Sequence, residues 1–163
     1  MTTTNQETRV GILMGSAHDA GIMTKARDTL VKLGVGCELL VRSAHRCPDE
    51  AADYARTARE RGVKVIIAGA GMAAHLAGVA AAHTTLPVIG VPISSGALQG
   101  VDALYATVQM PSGTPVATVA INGAENAATL AAQMLALSDD ELAKKLQRLK
   151  EERRAEALAA VVE

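Results

Sequence analysis

Short apolar runs alternate along this chain with longer stretches of helical period. The runs are Val10–Met14, Cys37–Val41, Val63–Ala68, Pro87–Val91 and Val116–Ile121, and the helical segments lie near residues 20–33, 48–61, 73–83, 101–109 and 124–137. Strand, helix, strand at this pace implies right-handed crossover units and a buried parallel sheet. The expected fold is α/β: a three-layer, doubly wound, flavodoxin- or Rossmann-like parallel sheet of about five strands with helices on both faces.

Several boundaries have a physical cause. Pro48, followed by Asp49 and Glu50, suits a helix first turn, and Gly62 suits its stop. Ser138-Asp-Asp-Glu141 reads as a capping box opening a last helix, in which Leu142, Leu146 and Leu149 form one stripe among dense charges. Two readings of that stripe stand: a solvated helix, or an arm packing on a neighbouring subunit. The expected organisation is one α/β domain over residues 1–137 and a C-terminal helical extension over 138–163.

Composition narrows the function. The net charge of −1 gives no field to attract nucleic acid or an anionic membrane. Two tyrosines are the only aromatic rings besides histidine, so single-strand binding by base stacking is not expected. Small residues replace the rings, and sharing the core with other subunits becomes attractive, so a homo-oligomer is expected. Cys37 and Cys47 fit neither a disulfide framework nor a metal motif. The N-terminal MTTTNQETRV has no apolar core of a signal peptide, and the small-apolar stretch from Val65 to Ala82 is broken by His75 and glycines. A cytoplasmic protein with no membrane span is the expectation.

In a parallel sheet the loops after the strands gather at the carboxyl edge, where ligands bind. Here they read Gly15-Ser-Ala-His-Asp19, Ser43-Ala-His-Arg-Cys-Pro48 and Gly69-Ala-Gly-Met-Ala-Ala-His75. Arg46 stands just before a helix N-terminus, where backbone N–H groups already favour an anion. His45 beside it either moves protons or merely bonds a turn. Ser16 and Asp19 either hold phosphate and sugar oxygens or cap a helix, or both. Gly69, Gly71 and Ala74 match a dinucleotide pattern, but the acidic residue expected about 20 positions later is missing. What the glycines permit is close approach of backbone to a small ligand, with N–H groups facing a carboxylate or carbon dioxide. His75 reads first as a core or interface histidine, and His83 as structural. No histidine–cysteine cluster has metal spacing, so neither metal nor other cofactor is expected.

These residues resemble the PurE family of purine biosynthesis. The likeness is carried by Met14-Gly-Ser, Ser43-Ala-His-Arg46, Ala68-Gly-Ala-Gly-Met-Ala-Ala-His-Leu76, Gly90-Val-Pro-Ile, Val108-Gln-Met-Pro111 and Pro115-Val-Ala-Thr118, and it runs from about residue 9 to 137 in order. The third loop resembles the branch that converts N5-carboxyaminoimidazole ribonucleotide into 4-carboxy-5-aminoimidazole ribonucleotide. The direct carboxylases of the family, which add carbon dioxide to aminoimidazole ribonucleotide, carry a different loop there. The resemblance implies that Ser16 and Arg46 bind the 5′-phosphate and Asp19 the ribose hydroxyls. It further implies that His45 is the general acid/base, with Ser43, Gly69, Ala70 and Gly71 also lining the substrate and the glycines holding carbon dioxide. It implies a homo-octamer and a lid near Ser94–Gly100. Three departures touch the site: His18 stands where the family has Ser, Met72 where Gly is frequent, and Ala77 where Pro is frequent. His18, Met72 and His75 are accordingly further candidates. The competing readings are the direct carboxylase and, from a different class, a non-catalytic nucleotide-binding module on the same fold.

Overall fold

Strands β1 (Val10–Met14), β2 (Cys37–Val41), β3 (Val65–Gly71), β4 (Val88–Ile93) and β5 (Ala117–Thr118) form one parallel sheet in the order β2-β1-β3-β4-β5. This is the flavodoxin-like doubly wound order, whose switch point lies between β1 and β3. The structure is a computed structural model that describes residues 7–160. Residues 1–6 of the polar N-terminal segment and the last three residues of the C-terminal extension lie outside the described residues.

The central strands β1 and β4 and most of β3 are buried on both faces, and alternate residues feed two cores. Val10, Ile12, Val65, Ile67, Ile89 and Val91 face helices α1 (Ala20–Leu33) and α5 (Ala124–Ala136). Leu13, Ile66, Ala68 and Val88 face α2 (Pro48–Thr57) and α3 (Leu76–Ala82), and α4 (Val101–Val108) packs beside α3 against β4. On α1, Met23, Ala26, Leu30 and Leu33 recur at helical spacing and are buried. They meet an all-small stripe on α5, Ala124, Ala127, Ala128, Ala131 and Ala132, each fully buried. Methyl side chains let the two helices approach closely, and truncating Leu30 there would cost about 2–5 kcal/mol. Gly34, at φ 74°, ends α1 in the left-handed conformation and returns its N–H to Leu30 and Val31.

Several boundaries differ from those read in the sequence, three of them with a clear cause. The glycines Gly69 and Gly71 are the end of β3, in register with Val91 and Ile93, so the third loop starts only at Met72. Helix α2 stops at Thr57, and the chain turns through residues 58–62 so that Arg61 reaches back to Glu38 and to the Tyr54 carbonyl. Strand β5 keeps two residues rather than six.

The last helix, α6 (Asp140–Ala159), opens on Asp139 rather than Ser138. The Asp139 carboxylate accepts from the Leu142 N–H and pairs with Arg9 at 2.8 Å, while Ser138 closes the end of α5. Leu142 is buried in the α1–α5 core, with Leu146 and Leu149 packed against it. The leucine stripe thus packs on the α1–α5 core of this chain, with Leu146 and Leu149 only half-buried there. Lys145 donates to the Leu33 carbonyl at 3.0 Å and satisfies the C-terminal end of α1. Beyond this docked half the helix runs exposed to Leu158. No helix among the described residues is long and apolar enough to cross a membrane.

Candidate functional site

At the carboxyl edge of the sheet, over the β1–β3 switch point, lies a cavity of about 510 Å3. Its walls come from all three polar loops and from Ser95 after β4. Of the residues picked from sequence, Ser16, His18, Asp19, Ser43, His45, Arg46, Ala70, Gly71, Met72 and His75 all line it. Gly69 does not. Its α-carbon faces α1, where a β-carbon would collide with the Met23 sulfur, so this glycine serves helix–sheet packing. Gly71 is different: a β-carbon there would come within about 3.0 Å of Ser95, narrowing the cavity wall itself.

The first loop is a one-turn helix, Ala17–Asp19, closed by a capping box. The Ser16 N–H donates to Asp19 Oδ2 at 2.9 Å, and Ser16 Oγ accepts from the His18 N–H at 3.2 Å. Capping and cavity lining are thus combined in the same two residues. Partial burial pushes the Asp19 carboxyl above its ordinary range, and this outweighs the opposing Ser16 hydrogen bond and the nearby His18 and Arg46 charges.

The second loop is a tight knot leading into α2. Cys47 donates its N–H to the Ser43 carbonyl, and the Ser43 N–H donates to Cys47 Sγ, both at 3.0 Å. Ser43 is buried, and its hydroxyl accepts from the Arg46 N–H and Nε. The Arg46 guanidinium then donates to the Gly15 carbonyl at 2.6 Å, tying the second loop to the first. Ser43 acts mainly by holding Arg46. A guanidinium carries five N–H donors, and two are spent on this framework. The rest are free to meet an anion beside Ser16.

His45 stands at the tip of this knot, exposed to the cavity. Its Nε2 lies 2.8 Å from Nδ1 of His75, and the rings meet edge to face, with centroids 4.9 Å apart. One ring nitrogen must donate and the other accept, so the pair shares a proton position. From sequence, His75 reads first as a core or interface histidine because its neighbours are apolar, and only second as a site residue. The signal that finds it is topological: His75 follows β3 as His45 follows β2, so both sit in loops at the same edge. The third loop between them turns at Met72, whose φ of 55° is left-handed. That is the conformation that a glycine, frequent at this position in the PurE family, adopts without strain. The described residues hold no group of three or more acidic, histidine or cysteine side chains placed for a metal ion.

Comparison with known proteins agrees with this geometry. The family model of AIR carboxylase matches residues 9–156. The N5-carboxyaminoimidazole ribonucleotide mutase of Bacillus subtilis is 56% identical over 156 residues, covering 94% of each chain. That of Thermotoga maritima is 51% identical over 150 residues, 92% of this chain and 88% of its own. Among solved structures, Treponema denticola PurE superposes with a TM-score of 0.83 at 28% identity, covering 93% of this chain and 94% of the other. The family model over residues 9–156 and relatives half identical to this chain establish that it belongs to the AIR carboxylase family, the PurE family of its loop motifs.

Proposed function

We propose that this protein interconverts N5-carboxyaminoimidazole ribonucleotide and 4-carboxy-5-aminoimidazole ribonucleotide, with His45 as general acid and base. The observation that carries this reading is the imidazole pair His45–His75 on the wall of a cavity that Ser16 and Arg46 also line. Relatives that are half identical or more over most of the chain bear the mutase name, which favours the mutase over the direct carboxylase.

In the proposed reaction Ser16 and Arg46 hold the 5′-phosphate and Asp19 accepts from the ribose hydroxyls. Protonated His45 donates to N5 as the N5–C bond breaks and carbon dioxide departs. The gas is retained against the turn at Gly71–Ala73, and the C4 carbon attacks it. Neutral His45 then removes the C4 proton and restores the aromatic ring, so one proton given is one proton recovered. His75 keeps that proton within reach, because its Nδ1 lies 2.8 Å from His45 Nε2. The segment Ser94–Gly100, with Ser95 on the cavity wall, is the proposed lid, since escape of the gas would give the wrong product.

The same reading expects a cytoplasmic homo-octamer. Val101, Tyr105 and Val108 form an exposed apolar face on α4, beside Leu98, that assembly would cover. Light scattering of the purified protein tests the assembly. The function is tested by supplying the N5-carboxylated ribotide in one assay and aminoimidazole ribonucleotide with bicarbonate in another. Turnover of the first supports the mutase, turnover of only the second makes the protein a carboxylase, and binding without turnover of either makes it a nucleotide-binding module.

A further inference from the structure

The proposed chemistry leaves one cavity residue without a task. His18 is exposed on the cavity wall, and its Nδ1 lies 3.0 Å from Ser16 Oγ. The same hydroxyl already accepts from the His18 backbone N–H at 3.2 Å. A serine hydroxyl has one hydrogen to give and two lone pairs to fill. The backbone fills the first lone pair, so the ring decides what remains. A bare Nδ1 takes the hydroxyl hydrogen for itself, and Ser16 then offers the cavity no donor. An Nδ1 that carries a hydrogen fills the second lone pair, and the hydroxyl hydrogen has nowhere to point but outward. Ser16 is then a donor only. That suits a ligand made entirely of acceptors, such as a phosphate monoester, and not one that must donate in return.

We infer that His18 is a positioning residue, which in its Nδ1–H form turns the Ser16 hydroxyl into a dedicated donor for the phosphate of a bound ribotide. The inference rests on the reading of this cavity as a ribotide site. Asp19 does not compete for the hydroxyl, because its carboxylate takes the Ser16 backbone N–H.

The test is a cycle of Ser16→Ala, His18→Ala and the double variant, read by KM and kcat with the N5-carboxylated ribotide and by calorimetry with ribose 5-phosphate. His18→Ala is expected to raise both KM and the ribose 5-phosphate Kd about tenfold, with the loss in KM rather than kcat. The decisive term is the double variant, which should bind no worse than Ser16→Ala alone, since His18 acts only through that hydroxyl. Additive losses would mean that the ring touches phosphate directly and would overturn the inference. So would an unchanged Kd in His18→Ala, or a fall in kcat at constant KM. If the unsubstituted protein binds neither probe, the ribotide reading itself fails and the inference falls with it.

Discussion

His45 and His75 touch through Nε2 and Nδ1 at 2.8 Å, although 30 residues of chain and one full crossover separate them. His75→Asn keeps a hydrogen-bonding side chain but removes the second imidazole. We expect kcat to fall about ten- to hundredfold with KM within about twofold. His45→Asn should cost more, about 10²–10⁴-fold in kcat, while ribotide binding persists. A His75→Asn enzyme with an unaltered kcat would show that the contact is structural only.

Met72 carries a left-handed backbone at φ 55° with a side chain that is mostly in solvent. An unbranched side chain tolerates this at about 1–2 kcal/mol. Met72→Gly should recover part of that strain, offset by the looser unfolded chain, for a net gain of about 1 kcal/mol. In a chain of this length the melting midpoint should rise by about 2–4 °C. Met72→Val, with a branched β-carbon in the same conformation, should melt lower than the unsubstituted protein.

Gly69 and Met23 make a second pair that can be separated by substitution. Gly69→Ala drives a β-carbon into the Met23 sulfur and should destabilise by about 1–3 kcal/mol. Met23→Ala in the same chain removes the obstacle, so the double variant should be more stable than the sum of the single losses. Because Gly69 faces α1 and not the cavity, Gly69→Ala that still folds should keep its KM. A raised KM with normal melting would return Gly69 to the ligand site.

Legibility differed by element for reasons these residues make plain. Strands β1 and β2 and helix α1 have the bounds their apolar pattern predicts, because buried faces set that pattern locally. The third loop was misplaced because Gly69 and Gly71 look like turn residues. They are small so that Met23 and Ser95 can approach a strand, a requirement written on other elements. The cap of α6 fell on Asp139 because its carboxylate also serves Arg9, 130 positions away, which no local motif encodes. His75 was hidden by its apolar neighbours, and only the shared direction of the strands brings it to His45. The loops Gly15–Asp19 and Ser43–Arg46 were legible because polar residues directly after buried strands have few structural reasons to be there.

Asp139 ties the last helix to the first strand's entry. Its hydrogen bond from Arg9 is the main reason the carboxyl lies below its ordinary range, aided by the Leu142 N–H. A carboxyl lowered on folding contributes stability above its unfolded value, and loses it as pH falls through the folded value. The docking of α6 should therefore loosen in acid below about pH 4, which amide exchange along residues 140–149 would register. Asp139→Asn should show the same loosening at neutral pH. If exchange in α6 does not depend on acid or on this substitution, the leucines alone hold the helix.

Asp19 has the opposite sign, and that separates its cost from its use. Burial raises its carboxyl on folding, so ionising it opposes the fold. The cost is absent below the unfolded value and complete above the raised folded one. Asp19→Asn removes that charge while its side-chain oxygen still accepts the Ser16 N–H, so the melting midpoint at pH 7 should hold or rise. The same change takes away the anionic acceptor that the proposed mechanism gives to the ribose hydroxyls, and KM for the ribotide should rise about tenfold. In the unsubstituted protein that affinity should weaken as acid protonates Asp19, and in Asp19→Asn this part of the pH dependence should vanish. Lower stability together with unchanged KM would make Asp19 a capping residue and nothing more.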